Sequence, residues 1–145
     1  MRKIALIGCS KSKLGKEDLS QRFPAADIYC GRSFRKAKNF GIKHFGCEDR
    51  FYVLSALHGL LPCDAEITYY DKSLYDMSAK DRRLWAERVY ADICKNFDVP
   101  NTHFVIFAGS AYWQYLADRL NCTVLKYEGR NVTFTVKHVF EEGKR

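Results

Sequence analysis

The sequence predicts one α/β domain, residues 1–145, of the Rossmann-like three-layer kind, with a mostly parallel sheet of about four to five strands. Two observations carry that prediction. Strand-like and helix-like segments alternate along the chain, which implies right-handed crossovers and helices on both faces of a parallel sheet. The strand-like runs are also nearly continuous in apolar residues, as in His103-Phe104-Val105-Ile106-Phe107-Ala108. Such runs suit strands buried on both faces. The length of 145 residues fits a single domain, and 47% hydrophobic residues suffice for a core without metals or disulfides.

Each element can be argued in turn. Lys3 to Gly8 reads as a buried strand ending at a glycine. Cys9 to Pro24 is polar and rich in Lys and Ser, so it reads as a long loop, and long ordered loops are often functional. Ser33 to Phe45 places Phe34, Ala37, Phe40, Gly41 and His44 at helical spacing, and Gly46 supplies a stop. Phe51 to Ala56 is a second strand by its β-branched and aromatic content. Leu57 to Leu74, with Gly59, Pro62 and several aspartates, reads as another long loop. Ser78 caps a helix whose apolar stripe is Trp85, Val89, Ile93 and Phe97, broken at Asp98 to Asn101. His103 to Ala108 is the third strand. Gly109-Ser110 turns into a helix with Trp113, Leu116, Ala117 and Leu120 on one face. Thr123 to Tyr127 is a fourth strand, Val132 to Val136 a fifth strand or a helix start, and Gly143-Lys144-Arg145 a frayed end.

Composition narrows the function classes. No apolar run is long enough to cross a bilayer, and the N-terminal apolar run stops at Cys9, too short for a secretion signal, so a cytoplasmic protein without membrane contact is expected. The 6 cysteines form no CxxC pair and no Cys/His zinc spacing. No metal site and no cofactor is expected, and the thiols are expected to be reduced. The sequons at Asn121-Cys122-Thr123 and Asn131-Val132-Thr133 read as chance matches. The net charge of +7 favours an anionic partner: a nucleotide, a nucleoside derivative or a nucleic acid.

In parallel α/β sheets, ligands bind outside the carboxyl ends of the strands. Three segments leave the best strands: Gly8 to Lys13, Ser55 to Leu60 and Ala108 to Tyr112. The first offers Cys9 as a thiol nucleophile, Lys13 as an amine nucleophile or charge clamp, and Ser10 as a donor to an anion. It is not a P-loop, because the GxxxxGK[ST] spacing is absent. The second contributes Ser55, His58 as an acid or base near neutral pH, and Gly59. The third places Gly109 and Ser110 at a helix N-terminus, which favours an anion. Asp27 with Tyr29, and Tyr69-Tyr70 with Asp71, pair an aromatic face for a base with a carboxylate for a ribose or base donor.

These residues fall in a recognisable pattern. A strand ends in Cys with a small residue next and Lys four positions after the Cys. Ala-x-Asp-Leu-Tyr follows, then Phe, then Leu-Ser-Ala-x-x-Gly-Leu, then Tyr-Asp-x-x-Leu. Here these are Cys9-Ser10 with Lys13, Ala25-Asp27-Ile28-Tyr29, Ser33-Phe34, Leu54-Ser55-Ala56 with Gly59-Leu60, and Tyr70-Asp71 with Leu74. In this pattern the chain resembles a widespread family of small uncharacterised bacterial and phage proteins. Ile28 replaces the usual Leu, and His58 stands where Tyr or Phe is commoner. The first motif is also similar to the Cys-Ser-x-x-Lys of the catalytic domain of archaeosine synthase, a tRNA deazaguanine-modifying family. There the lysine is the attacking group, which would correspond to Lys13. That family's following Pro-Tyr is replaced by Leu14-Gly15. The stress protein YaaA is loosely similar and is a nucleic-acid binder. These resemblances imply an enzyme acting on a nucleobase, nucleotide or nucleic acid, by base modification or glycosidic-bond chemistry. Two other classes remain open. One is a non-catalytic nucleic-acid-binding protein with Arg32, Arg35, Lys36, Lys38, Lys11 and Lys13 on phosphates. The other is a nucleotide sensor.

Overall fold

The computed structural model describes residues 1–128 and 133–141. Its centre is a six-stranded sheet. The inner strands are β1 (Arg2–Gly8), β3 (Tyr52–Ser55), β6 (Thr102–Phe107) and β7 (Cys122–Glu128), and they pair in parallel. Each edge is closed by an antiparallel hairpin strand: β4 (Gly59–Pro62) on β3 and β8 (Thr133–Phe140) on β7. The order across the sheet is β4-β3-β1-β6-β7-β8. A separate two-stranded ladder joins β2 (Phe23–Pro24) to β5 (Glu66–Ile67). The fold is therefore mixed α/β with a mostly parallel sheet, and it has more strands than the sequence suggested.

Residue alternation assigns the faces. Ile4 and Leu6 of β1, Phe104 and Ile106 of β6, and Val124 of β7 belong to one apolar cluster, with Trp85, Ala86, Val89 and Ile93 of α4 (Ala79–Asn96). Ala5, Ile7, Val105, Phe107 and Leu125 belong to a second. That cluster includes Ile28 of α1 (Ala25–Ile28), Phe34 of α2 (Arg32–Lys36), Ala37 and Ile42. α2 continues through a π-type turn (Ala37–Gly41) into α3 (Ile42–His44). The stripe expected on α4 is the buried one, and the Ser78 hydroxyl accepts the Asp81 backbone N–H at 3.1 Å, capping the helix as its sequence implied.

Two elements depart from expectation. The stretch read as a loop from Leu57 to Leu74 contains β4 and β5. Gly59, at φ +71°, closes a three-residue hairpin loop after Ser55, because the left-handed region is open to glycine at little cost. The predicted helix after Gly109 is only α5 (Ser110–Trp113), followed by a 3₁₀ turn at Ala117–Arg119. Leu116, at φ −120°, leaves helical geometry, while Leu116, Ala117 and Leu120 remain buried. Four residues carry little macrodipole, so the anion-binding argument for Gly109 and Ser110 loses its helix.

All 6 cysteines are free thiols. Among the described residues, no helix is long and apolar enough to cross a membrane. The Asn131 sequon and the Gly143–Arg145 end lie outside the described residues.

Candidate functional site

The order of the parallel strands, β3-β1-β6-β7, fixes where a cleft opens. The chain goes from β1 to β3 on one side, then crosses to β6 on the other. The loops leaving β1 and β6 therefore turn apart, and a crevice forms between them. A cavity of about 470 Å³ lies there, within the ~300–1,000 Å³ range of small-molecule sites. Gly8, Cys9 and Ser10 enter it from β1, and Ala108, Gly109 and Ser110 from β6. Arg32 and Ser33 enter from the start of α2, and Lys126, Tyr127, Phe134 and Lys137 from the β7–β8 hairpin. Tyr75, Tyr112 and Trp113 supply aromatic wall. A second cavity of about 430 Å³ is lined by Lys11, Asp71, Lys72, Ser73 and Asp76 and shares Cys9, Ser10, Tyr75 and Tyr112 with the first.

Cys9 thus faces both chambers. Its Sγ lies 3.3 Å from the Tyr112 hydroxyl. The Leu74 backbone N–H donates to that same hydroxyl oxygen at 3.4 Å, which leaves the Tyr112 proton available to the sulfur. Burial and the neighbouring Cys9 push Tyr112 above the ordinary tyrosine value, so it stays protonated. Tyr75, in the 3₁₀ turn Leu74–Asp76, stands edge-on to Tyr112 with centroids 6.1 Å apart. It packs directly on Gly109, where any side chain would meet the Tyr75 hydroxyl. A side chain at 109 would therefore push the exposed Tyr75 ring from this place.

Lys13 lies behind this junction, 9% exposed, and lines neither cavity. Its loop is zipped to residues 28–30 by Leu14 N–H to Ile28 O and Cys30 N–H to Ser12 O. The Lys13 ammonium donates to the Lys11 carbonyl at 3.2 Å and sits 4.4 Å from the Tyr70 ring centroid. Burial lowers its pKa below the ordinary lysine value, while Cys9, then Asp71 and Cys30, pull it back up.

Beneath Lys13 runs a buried hydroxyl chain. Tyr29 OH and Tyr70 OH are 2.7 Å apart, and Tyr70 OH and Ser55 Oγ 2.8 Å apart. The His58 backbone N–H donates to Ser55 Oγ at 2.9 Å. Burial is the main cause raising the pKa of both Tyr29 and Tyr70, so both remain neutral. Tyr70→Phe should cost about 1–3 kcal/mol, since it leaves two buried hydroxyls short of a partner. The aromatic ring, retained in that variant, would still face the Lys13 ammonium. A urea midpoint unchanged from wild type would count against the chain as a stabilising unit.

The structure thus brings together part of what the sequence proposed. Cys9, Ser10, Gly109 and Ser110 line the larger cavity, and Asp71 the smaller. Tyr29 and Ser55 are buried, 1% and 0% exposed, and work in the hydroxyl chain instead of offering a face to a base. Asp27 is exposed on α1, away from the lining. His58 is exposed and edge-on to Tyr70, and burial and Arg88 lower its pKa. Gly59 serves the hairpin turn. The proposed basic phosphate surface also divides: Lys13 is buried, and Lys38 donates to the Ala26 carbonyl at 2.8 Å. Trp113, Tyr127, Phe134 and the lysines of the β7–β8 hairpin were not anticipated. No group of three or more His, Cys, Asp or Glu side chains placed for a metal ion occurs among the described residues.

The molecule is an α/β protein, its sheet mostly parallel, with a basic and aromatic cleft at the strand exits. Its sequence belongs to a family of unknown function, DUF6884, whose profile matches residues 4–137. No curated protein and no solved structure matches the chain.

Proposed function

We propose that this protein is an enzyme acting on a nucleobase, nucleotide or nucleic acid, by base modification or glycosidic-bond chemistry. One observation carries the reading: a free thiol opens into a cleft walled by aromatic rings and cations at the switch point of a parallel sheet. Rings suit a base and cations suit a phosphate. Cys9 is the nucleophile or acid–base group at the junction, and Lys13 is the amine beside it, which burial keeps readier to give up its proton. The apolar cluster on each face supports the Rossmann-like three-layer description. The Cys-x-x-x-Lys motif supports the distant kinship with archaeosine synthase, and free thiols suit a cytoplasmic setting. Ser110 and Asp71 contribute hydrogen bonds to the bound molecule in this reading, whereas the Ser10 hydroxyl already donates to the Ser12 carbonyl at 2.7 Å.

The net charge of +7 favours a second reading, a non-catalytic nucleic-acid binder. A thermal-shift screen separates the two. Nucleobases, nucleosides, nucleotides and short oligonucleotides are tested against wild type, Cys9→Ala and Lys13→Met. A ligand at 100 times its Kd stabilises by about 2.7 kcal/mol, a rise of several degrees. A small-molecule hit followed by product formation that Cys9→Ala abolishes supports the enzyme. Stabilisation by oligonucleotides alone, retained in both variants and erased by salt, establishes the binder.

A further inference from the structure

We infer that the larger cavity holds a free mononucleotide, with its phosphate against the β7–β8 hairpin and its base and sugar beside Tyr75 and Cys9. This rests on the reading just proposed and narrows its substrate class. Arg32, Lys126 and Lys137 line the cavity, and its described lining contains no Asp or Glu. A neutral nucleoside would make no use of those charges. A phosphate monoester, with about −1.5 to −2 charge near neutral pH, matches them.

Two further observations point at the same wall. The ladder between β7 and β8 slips between Val124 and Leu125: Val124 pairs with His138 and Leu125 with Val136. Lys137 is the extra residue, and such bulges re-aim side chains next to binding sites. Its ammonium lies 5.5 Å from the Trp113 ring centroid, at the cavity. The Tyr127 hydroxyl, on the facing strand, is buried without a hydrogen-bond partner among the described residues. Buried polar groups are nearly always paired, so an orphan beside a cationic wall is a donor waiting for a ligand oxygen. On the β1 side of the cavity Tyr75 and Tyr112 add two further rings beside the Cys9 thiol. The volume of about 470 Å³ suits one nucleotide unit, and walls from α2, the hairpin and the Tyr75 turn enclose it on several sides.

Isothermal titration of the full chain tests this with four ribonucleoside 5′-monophosphates, their nucleosides, inorganic phosphate and a short single-stranded oligonucleotide. Arg32→Gln, Lys137→Gln and Tyr127→Phe are titrated alongside. Arg32 and Lys137 are exposed, so their replacement leaves the core intact. At least one monophosphate should bind about 10-fold or more tightly than its nucleoside and than inorganic phosphate. Arg32→Gln and Lys137→Gln should each weaken it about 10-fold or more, and Tyr127→Phe several-fold. A nucleoside or oligonucleotide binding as tightly as any monophosphate, unaffected by the variants, overturns the phosphate pocket and leaves the broader enzyme reading standing. Inorganic phosphate binding as tightly as the monophosphates reduces the cavity to an anion site and overturns the nucleotide. No heat with any of the ligands, together with no hit in the thermal-shift screen, removes both readings.

Discussion

Cys9→Ala should lower turnover of a nucleotide-derived substrate by about 10³-fold or more, with its affinity changed only a few-fold. The thiol faces both chambers, lies at the edge of both apolar clusters, and has the Tyr112 hydroxyl as its polar neighbour at 3.3 Å. Loss of activity in Tyr112→Phe should be smaller, about 10-fold, because the ring remains and only the hydroxyl partner of the sulfur goes. A readout independent of substrate is alkylation by iodoacetamide. Mass spectrometry should find Cys9 labelled and protected by bound nucleotide. Full turnover in Cys9→Ala would remove the thiol from the mechanism and leave Lys13 as the reactive group.

If Lys13 takes part in the proposed chemistry, it should set its pH dependence. Burial lowers its folded-state pKa, so the amine becomes neutral below the ordinary lysine value of 10.5. Turnover that uses the neutral amine should therefore rise with pH and level off below 10.5. Stability carries the same signature. Below the folded-state value the ammonium is buried at a cost. As pH climbs from there to 10.5, the folded state releases its proton before the unfolded chain does, and that cost is relieved. Stability of wild type relative to Lys13→Met should rise across that alkaline window. A flat difference would mean that the ammonium is solvated in the folded state.

Trp85→Ala should damage the fold severely, by about 3–5 kcal/mol. Against a total of about 5–15 kcal/mol for a domain, that removes a large share. The indole is 4% exposed and packs edge-on to Tyr112 at 5.8 Å. Its Nε1–H donates to the Ser55 carbonyl at 2.9 Å. The vacancy therefore touches both the hydroxyl chain at Ser55 and the Tyr112 partner of Cys9. Trp85→Phe, which keeps a ring but not the N–H, should cost about 1–3 kcal/mol. Urea midpoints measure both. A Trp85→Ala midpoint within error of wild type would contradict the packing described for α4.

What could be read from the chain alone follows from what each segment depends on. β1, β6 and α4 were legible because their patterns are local: continuous apolar runs buried on both faces, and a capped amphipathic stripe. β4 was not, since Gly59 and Pro62 mark loops in general, and only the partner β3 makes those residues an edge strand. The exits of β1 and β6 were placed by topology, which brought Cys9, Ser10, Gly109 and Ser110 to one cleft. Tyr29 and Asp27 were read as a pair, but a helical turn puts them on opposite sides: one in the core, the other in solvent. Lys137 was invisible because a bulge is a register event, and register belongs to two strands at once. Arg32 was noticed as a charge, without the cavity it faces.

The β7–β8 hairpin gives the cleft an uneven thermal profile. Among the described residues β8 pairs with β7 alone, and within β8 only Phe134 and Phe140 are even partly buried. β1, by contrast, is flanked by strands on both sides and by apolar clusters on both faces. Little buried area therefore resists the peeling of β8, and such sub-global opening costs only a fraction of full unfolding. Amide deuteration of β8 should run ahead of that of β1 and β6, and a bound nucleotide should slow it. On heating, β8 would come loose while the scaffold still stands. Ligand affinity would then fade at temperatures where far-ultraviolet circular dichroism still reports a native sheet.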